Sequence, residues 1–366
     1  NHYGFQYKLG LNIDTEEFNS SDSDESGGFY FTDKEHIINY VGYGDYIAEL
    51  TIPEDAQIRK QPDFNIWTTD KLIINKYYPI NEWIEWNDEN CLLSVENDSY
   101  ALQHIPNVFK TENLCLTAVN QNSFALKFVP EEYKTKKICE LAVENDGITI
   151  EFVPEEFKTE EICELAVKNI GSALKFVPKE FKTKKLCELA LKNDGRTLKF
   201  VPIKIKTKEL CELAVEYNSW AIVYVPEKFI TKELCELAIE NNGIALQYIP
   251  NKYKTKELCE LAVKKNGYAL EFVHEEFITK ELCELAVNKN GCALQWVPEK
   301  FKTKKLCLIA IKKNGLTLVF VPKLLKTKEL CELAVKQNSY AIKYVPDKFK
   351  TKELCESSIK DHGYAL

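Results

Sequence analysis

The sequence predicts a mainly α protein: an α-solenoid of about eleven and a half 24-residue helix-turn-helix repeats, preceded by a small α+β domain. Three ladders predict it. Twelve cysteines, from Cys91 to Cys355, stand 24 residues apart without a slip. Prolines keep the same step from Pro106 to Pro346, with His274 replacing one member, and so do threonines from Thr111 to Thr351. Self-similarity at a fixed period of roughly 20–50 residues marks a stacked array, because one unit alone cannot bury its apolar face.

Within one unit, Thr255 to Gly267, the local chemistry is helical. Thr255 is placed as the N-cap, its hydroxyl accepting from a first-turn N–H. Glu257 follows where the helix dipole favours negative charge, and Lys264 and Lys265 close the helix where it favours positive charge. Leu258, Leu261 and Ala262, with Cys259 beside them, form the apolar stripe. Gly267 is expected in the left-handed stop position, as is Gly243. A helix this short is not stable alone in water, so its neighbours must hold it.

The second half, Tyr268 to Val273, reads as a shorter helix burying Ala269, Leu270 and Val273 and ending at the proline position. A strand is the competing reading, since Phe and Val suit strands. The recurring Ala-Leu pair straight after a helix stop favours the helical hairpin. An aromatic in the link, such as Tyr253 or Phe277, is expected to plug the seam between hairpins.

Residues 1–76 share none of this period and make the head domain. Phe29–Phe31, Tyr46–Ile52 and Leu72–Asn75 read as strands, with a helix over Asp33–Val41 and an acidic flexible loop over Ser20–Gly28. Residues 77–90, with Trp83 and Trp86, form the junction expected to cover the first repeat's open end, and 91–366 is the array. The chain starts at Asn1, contains no Met and stops in mid-unit, so a longer protein is expected.

Residues 1–90 hold 6 Lys+Arg against 18 Asp+Glu, leaving 42 against 38 for the rest. An acidic head and a nearly neutral array disfavour nucleic acid as partner. No apolar run is long enough to cross a membrane as a helix. The cysteine spacing supplies neither a Cys-x₂-Cys metal pair nor nearby His, and equivalent thiols one repeat apart exceed disulfide reach. The ladder reads as small buried hydrophobes, with no cofactor or metal. Persistent thiols imply a reducing compartment.

Two charged rows run along the array: a glutamate after most ladder cysteines and a lysine before most ladder threonines. They read as a solvated edge exchanging ion pairs, with a phosphate-tracking groove as the alternative. One position varies while its neighbours stay nearly fixed. It runs from Tyr100 to Tyr364, and Arg196, Trp220, Ile244, Tyr268 and Tyr340 on it are the candidate binding residues. Trp, Tyr and Arg are the side chains that anchor protein interfaces. Packing between repeats is the competing reading.

The unit T-K-E-L-C-E-L-A-V-K-x-N-G-x-A-L-x-F-V-P-x-x-F-K resembles repeats expanded in proteins of mimivirus-like giant DNA viruses. Gly10–Asp14, Gly27–Thr32 and Ile52–Ile58 resemble the leader module that those viruses place before such arrays. The resemblance implies a viral protein that works in the host cytoplasm or the virion. The expected function is a non-enzymatic scaffold binding a host or viral protein. A virion assembly component and an RNA-binding array are alternatives. So is an ADP-ribosyltransferase-like head, since His2 and the Gly-Gly-Phe-Tyr-Phe segment resemble the His and Tyr of that fold.

Overall fold

The structure, a computed structural model, describes residues 6–14, 29–61 and 65–361, with side chains to residue 358. The acidic segment 20–28, His2 and Tyr364 lie outside the described residues. The chain divides into two compact units, 1–181 and 182–366.

The first unit opens with two antiparallel three-stranded sheets. Strands β1 (Gly10–Ile13), β2 (Phe29–Phe31), β3 (Tyr46–Thr51), β4 (Ile58–Lys60), β5 (Trp67–Thr69) and β6 (Lys71–Pro79) arrange as β1-β6-β3 and β2-β5-β4. Gly10 pairs with Ile74 and Tyr46 with Pro79, so β6 carries the sheet past residue 76. Phe29, Leu72 and Ile74 form the buried centre, with Ala48, Leu50 and Ile52 against it. The three strands read from the sequence are present; β1, β4 and β5 were too short or too polar to be read.

The helix expected over Asp33–Val41 is instead a 3₁₀ helix at Ile37–Tyr43, ended by the extended Gly44. It covers the first repeat, a task the sequence assigned to residues 77–90. It packs against the helix Asp88–Asn97 and the 3₁₀ turn after it, burying Ile38 and Val41. Asn97 donates to Asn39 Oδ1 at 3.1 Å, where Asn169 in the array donates to the Glu144 carbonyl of the preceding repeat. A folded piece of the head thus stands in for a preceding repeat. In the junction itself, Trp86 is buried while Trp83 keeps partial exposure.

From residue 88 onward, every repeat has one build. Twelve ten-residue α-helices recur, from Asp88–Asn97 to Lys352–Asp361, each preceding a short turn in the 3₁₀ form where the chain is described. Thr255 caps its helix as expected, accepting from Leu258 N at 3.3 Å, and the same bond recurs at each ladder threonine from Thr111. The buried stripe is Leu258, Cys259, Ala262 and Val263, while Leu261 keeps partial exposure. The second segment, Gly267–Phe272, is a 3₁₀ helix and not a strand, and it buries Ala269 and Leu270 as read.

Gly267 and Gly243 are not left-handed stops. Gly10 is the one glycine with positive φ among the described residues. The α-helix ends at Asn266, extended at φ −147° and ψ 117°, whose side chain accepts from Tyr268 N at 3.0 Å. Asn266 therefore ends one helix and caps the next. Gly267 opens the 3₁₀ helix, and a Cβ there would collide with the Ala286 carbonyl of the following repeat. It is glycine for close approach, not for a special dihedral.

Candidate interaction surface

A 3₁₀ helix has three residues per turn, so positions three apart share a face. In Ser219–Tyr224, Ala221 and Ile222 point inward and are buried. Trp220 and Val223 share the outer face, 42% and 48% exposed. Neither strict alternative for the variable row holds. Four rings on it, Tyr100, Phe124, Trp220 and Tyr268, each pack across the seam against an aromatic 28 residues later and leave their remaining surface to solvent. Trp220 meets Tyr248 at 5.2 Å between ring centroids, tilted 53°, and Tyr268 meets Trp296 edge-on at 5.3 Å. Tyr100 with Phe128 and Phe124 with Phe152 repeat the pattern in the first unit.

The five candidate residues are not one cluster. Trp220 and Ile244 occupy consecutive repeats, and Ile244 is half-buried. Tyr268 follows, half-buried, with burial and a hydrogen bond to Cys292 raising its pKa. Tyr340 is exposed three repeats further on. Arg196 is exposed but committed: Nη2 lies 2.8 Å from Asp194 Oδ2, and Nε bonds both carboxylate oxygens. Burial pushes the Asp194 carboxyl up, yet the bonds from Arg196 outweigh it and hold it below the usual range. Arg196 is a local clasp more than a free anchor.

Sequence reading missed the neighbours that make Trp220 a patch. Val223 replaces the Lys, Glu or Gln found at most equivalent positions, and Tyr217 replaces Asn, Gln or Lys. Both are exposed, as is Tyr224 beside them. Departure from an otherwise polar column was the signal.

The lysine row is not a solvated edge. Lys110, Lys134 and Lys158 are buried. Lys110 Nζ donates to the Phe128 carbonyl at 3.1 Å, and Lys206, Lys254 and Lys302 reach Tyr224, Phe272 and Phe320 in the same way. Those carbonyls end a 3₁₀ helix two residues before a Pro or His and would otherwise lack an intrahelical partner. Each lysine thus staples its repeat to the next, while Lys134 and Lys158 pair with Glu131 and Glu155 at 2.7 Å. The glutamates after the cysteines find other partners, such as Lys208 for Glu212 at 3.6 Å, exposed pairs worth little. Lys254→Ala is expected to lower stability by about 1–2 kcal/mol, and Lys254→Ile by less, because isoleucine keeps the packing of the stem. Urea unfolding with hydrogen exchange over 255–278 checks the order; equal losses would show that the bond alone matters.

The ladder cysteines are free, and nearly all are fully buried. Burial pushes most of them, Cys211 among them, up to about 11. Among the described residues no cluster of three or more His, Cys, Asp or Glu could hold a metal, and no helix is long and apolar enough to cross a membrane.

Known proteins share this unit. The family described as "Domain of unknown function (DUF4116)" matches six times in succession, at residues 87–134, 135–182, 183–230, 231–278, 279–326 and 327–366. All but the last match span two repeats. Relatives occur in Acanthamoeba polyphaga mimivirus. "Putative ankyrin repeat protein R896" is 41% identical over 66 residues, 18% of each chain. "Putative ankyrin repeat protein R868" is 43% identical over 56 residues, 15% of this chain and 28% of that one. "Uncharacterized protein R869" is 33% identical over 94 residues, 23% of this chain and 64% of that one. The matches thus span less than two thirds of each relative. The period here is 24 residues, against about 33 for an ankyrin unit. With its matched repeats running from residue 87 to 366, the chain belongs to the DUF4116 family, as a helical repeat protein of the kind found in mimivirus-like viruses.

Proposed function

We propose that this protein is a non-enzymatic scaffold that binds a host or viral protein along its repeat surface, in the reducing setting of host cytoplasm or virion. One observation carries the reading: Trp220, Val223, Tyr224 and Tyr217 are all exposed within a single repeat. Scattered exposed apolar residues are ordinary, but a cluster rimmed by polar positions marks an interaction site. Stacked arrays present extended surfaces suited to binding. Two relatives carry the name of another repeat class, which fits the same use.

Trp220→Ala is expected to weaken capture of the partner by about 2 kcal/mol or more. The melting temperature should stay nearly unchanged, since Trp220 is exposed and Ala221 and Ile222 keep the buried contacts of its turn. Quantitative capture from infected-cell lysate, paired with thermal melts, checks both. Lost stability with intact capture would make Trp220 a packing residue and place the surface elsewhere. The non-enzymatic part has its own test: transfer of label from a nicotinamide dinucleotide by the intact chain would overturn it.

A further inference from the structure

In the unit 182–366, the lysine staple is interrupted twice. Lys182, Lys206, Lys254, Lys302 and Lys326 each place Nζ 3.0–3.3 Å from the carbonyl of the aromatic residue 18 positions on. Ile230 and Ile278 replace the lysine, and no donor is found at the carbonyls of Tyr248 and Trp296 among the described residues. The two closest ring pairs of the array stand at these same seams: Trp220 with Tyr248, and Tyr268 with Trp296. Each seam therefore combines two aromatic rings with an unanswered carbonyl oxygen. Rings and carbonyls both attract cations. The sibling seams show that an ammonium suits this carbonyl.

Local charge agrees. The outer positions beside the rings are Val223, Gln247, Glu271 and Gln295, with no cation among them, whereas Lys199 and Lys343 hold the same position outside this stretch. Three nearby cations are already engaged: Lys254 on the Phe272 carbonyl, Lys252 with Glu227 at 2.7 Å, and Lys228 over the Phe229 ring.

We infer that the stretch from Trp220 to Trp296 receives two cationic side chains, lysine or arginine, from an extended protein segment, one at each isoleucine seam. This rests on the scaffold reading and specifies the partner's chemistry. Layers of packed helices lie roughly 8–10 Å apart, so seams two repeats apart are roughly 16–20 Å apart. An extended chain covers that in about five or six residues.

The test uses the full chain and a synthetic Gly/Ser/Thr peptide with two arginines about six positions apart, titrated by calorimetry beside its Gln-for-Arg counterpart. The arginine peptide should bind and the glutamine peptide should not. Ile230→Lys with Ile278→Lys installs the residue native to the sibling seams, so the fold should persist while arginine-peptide binding falls at least tenfold. Ile230→Met with Ile278→Met, which adds no charge, should leave binding in place. Equal binding of both peptides, or arginine-peptide binding unmoved by the double lysine variant, would overturn the proposal; the latter would mark diffuse attraction to the acidic head. If Trp220→Ala lowers partner capture and the double lysine variant does not, the scaffold stands and the cationic partner falls. If neither lowers it, the cationic-partner proposal falls and the partner is held elsewhere on the chain.

Discussion

Raising the pH from 8 to 11 is expected to melt the repeat array well before its other groups would require it. Ten thiols from Cys91 to Cys307 are pushed up to about 11 by burial, from an ordinary 9.0. Once the pH passes 9, the unfolded chain releases these protons while the folded chain retains them. The thiols' contribution is therefore intact below about pH 9 and is lost as the pH climbs through 11. Two pH units correspond to roughly 2–3 kcal/mol for each thiol. Lys110, Lys206, Lys254 and Lys326 act in the opposite sense, because burial lowers their pKa below 10.5 and rising pH relieves that penalty. They are four partly buried groups against ten, so the thiols prevail.

Circular dichroism melts at pH 8 and pH 10.5, with iodoacetamide labelling of native protein, measure this. At pH 8 the ladder should be reduced and slow to alkylate. Cys211→Ala should flatten the alkaline loss around its own repeat. Stability unchanged up to pH 10.5, or stoichiometric zinc or disulfide, would contradict a buried neutral thiol.

Gly243→Val is expected to destabilise the seam between residues 231 and 278 by about 3 kcal/mol, at the upper end of overpacking costs. The cause is contact and not dihedral strain. A Cβ on Gly243 would land on the Ala262 carbonyl, which already accepts from Asn266 N at 3.0 Å or less and cannot swing away cheaply. Serine fills the same position at Ser99, Ser123, Ser219 and Ser339, so Gly243→Ala should cost far less: a seam can widen for one small atom. Because each repeat contacts only its neighbours, exchange protection should fall locally. Cooperative collapse of all repeats after this one change would contradict that picture.

Much of the surface was legible because repetition supplies its own control. Eleven near-copies make Trp220 conspicuous, and its exposure follows from Ala221 and Ile222 filling the inward positions. The ion pair of Arg196 was not legible, because Asp194, two residues earlier, reads as a helix-end residue and not as a partner. Val223 and Tyr217 were legible in principle, but only by comparing polar columns that carry no packing signal. In the head, the one segment read as an α-helix became a 3₁₀ helix. The chain there is shaped by the repeat it covers, and nothing in 37–43 announces that surface.

The sequence by itself determined the period, the threonine caps, the buried cysteine, and the helical character of both halves. Each follows from contacts within a few residues or from apolar spacing along one helix. Only the tertiary structure decided why glycine follows Asn266, where the lysines go, and which rings Trp220 and Tyr268 meet. Those contacts join residues 18–28 apart across a seam, as Lys254 does with Phe272, and Trp220 with Tyr248. Seam width and rotation arise from stacking one repeat on the next, and the same Gly, Lys and Trp would serve as stop, solvated charge or core in a different stack.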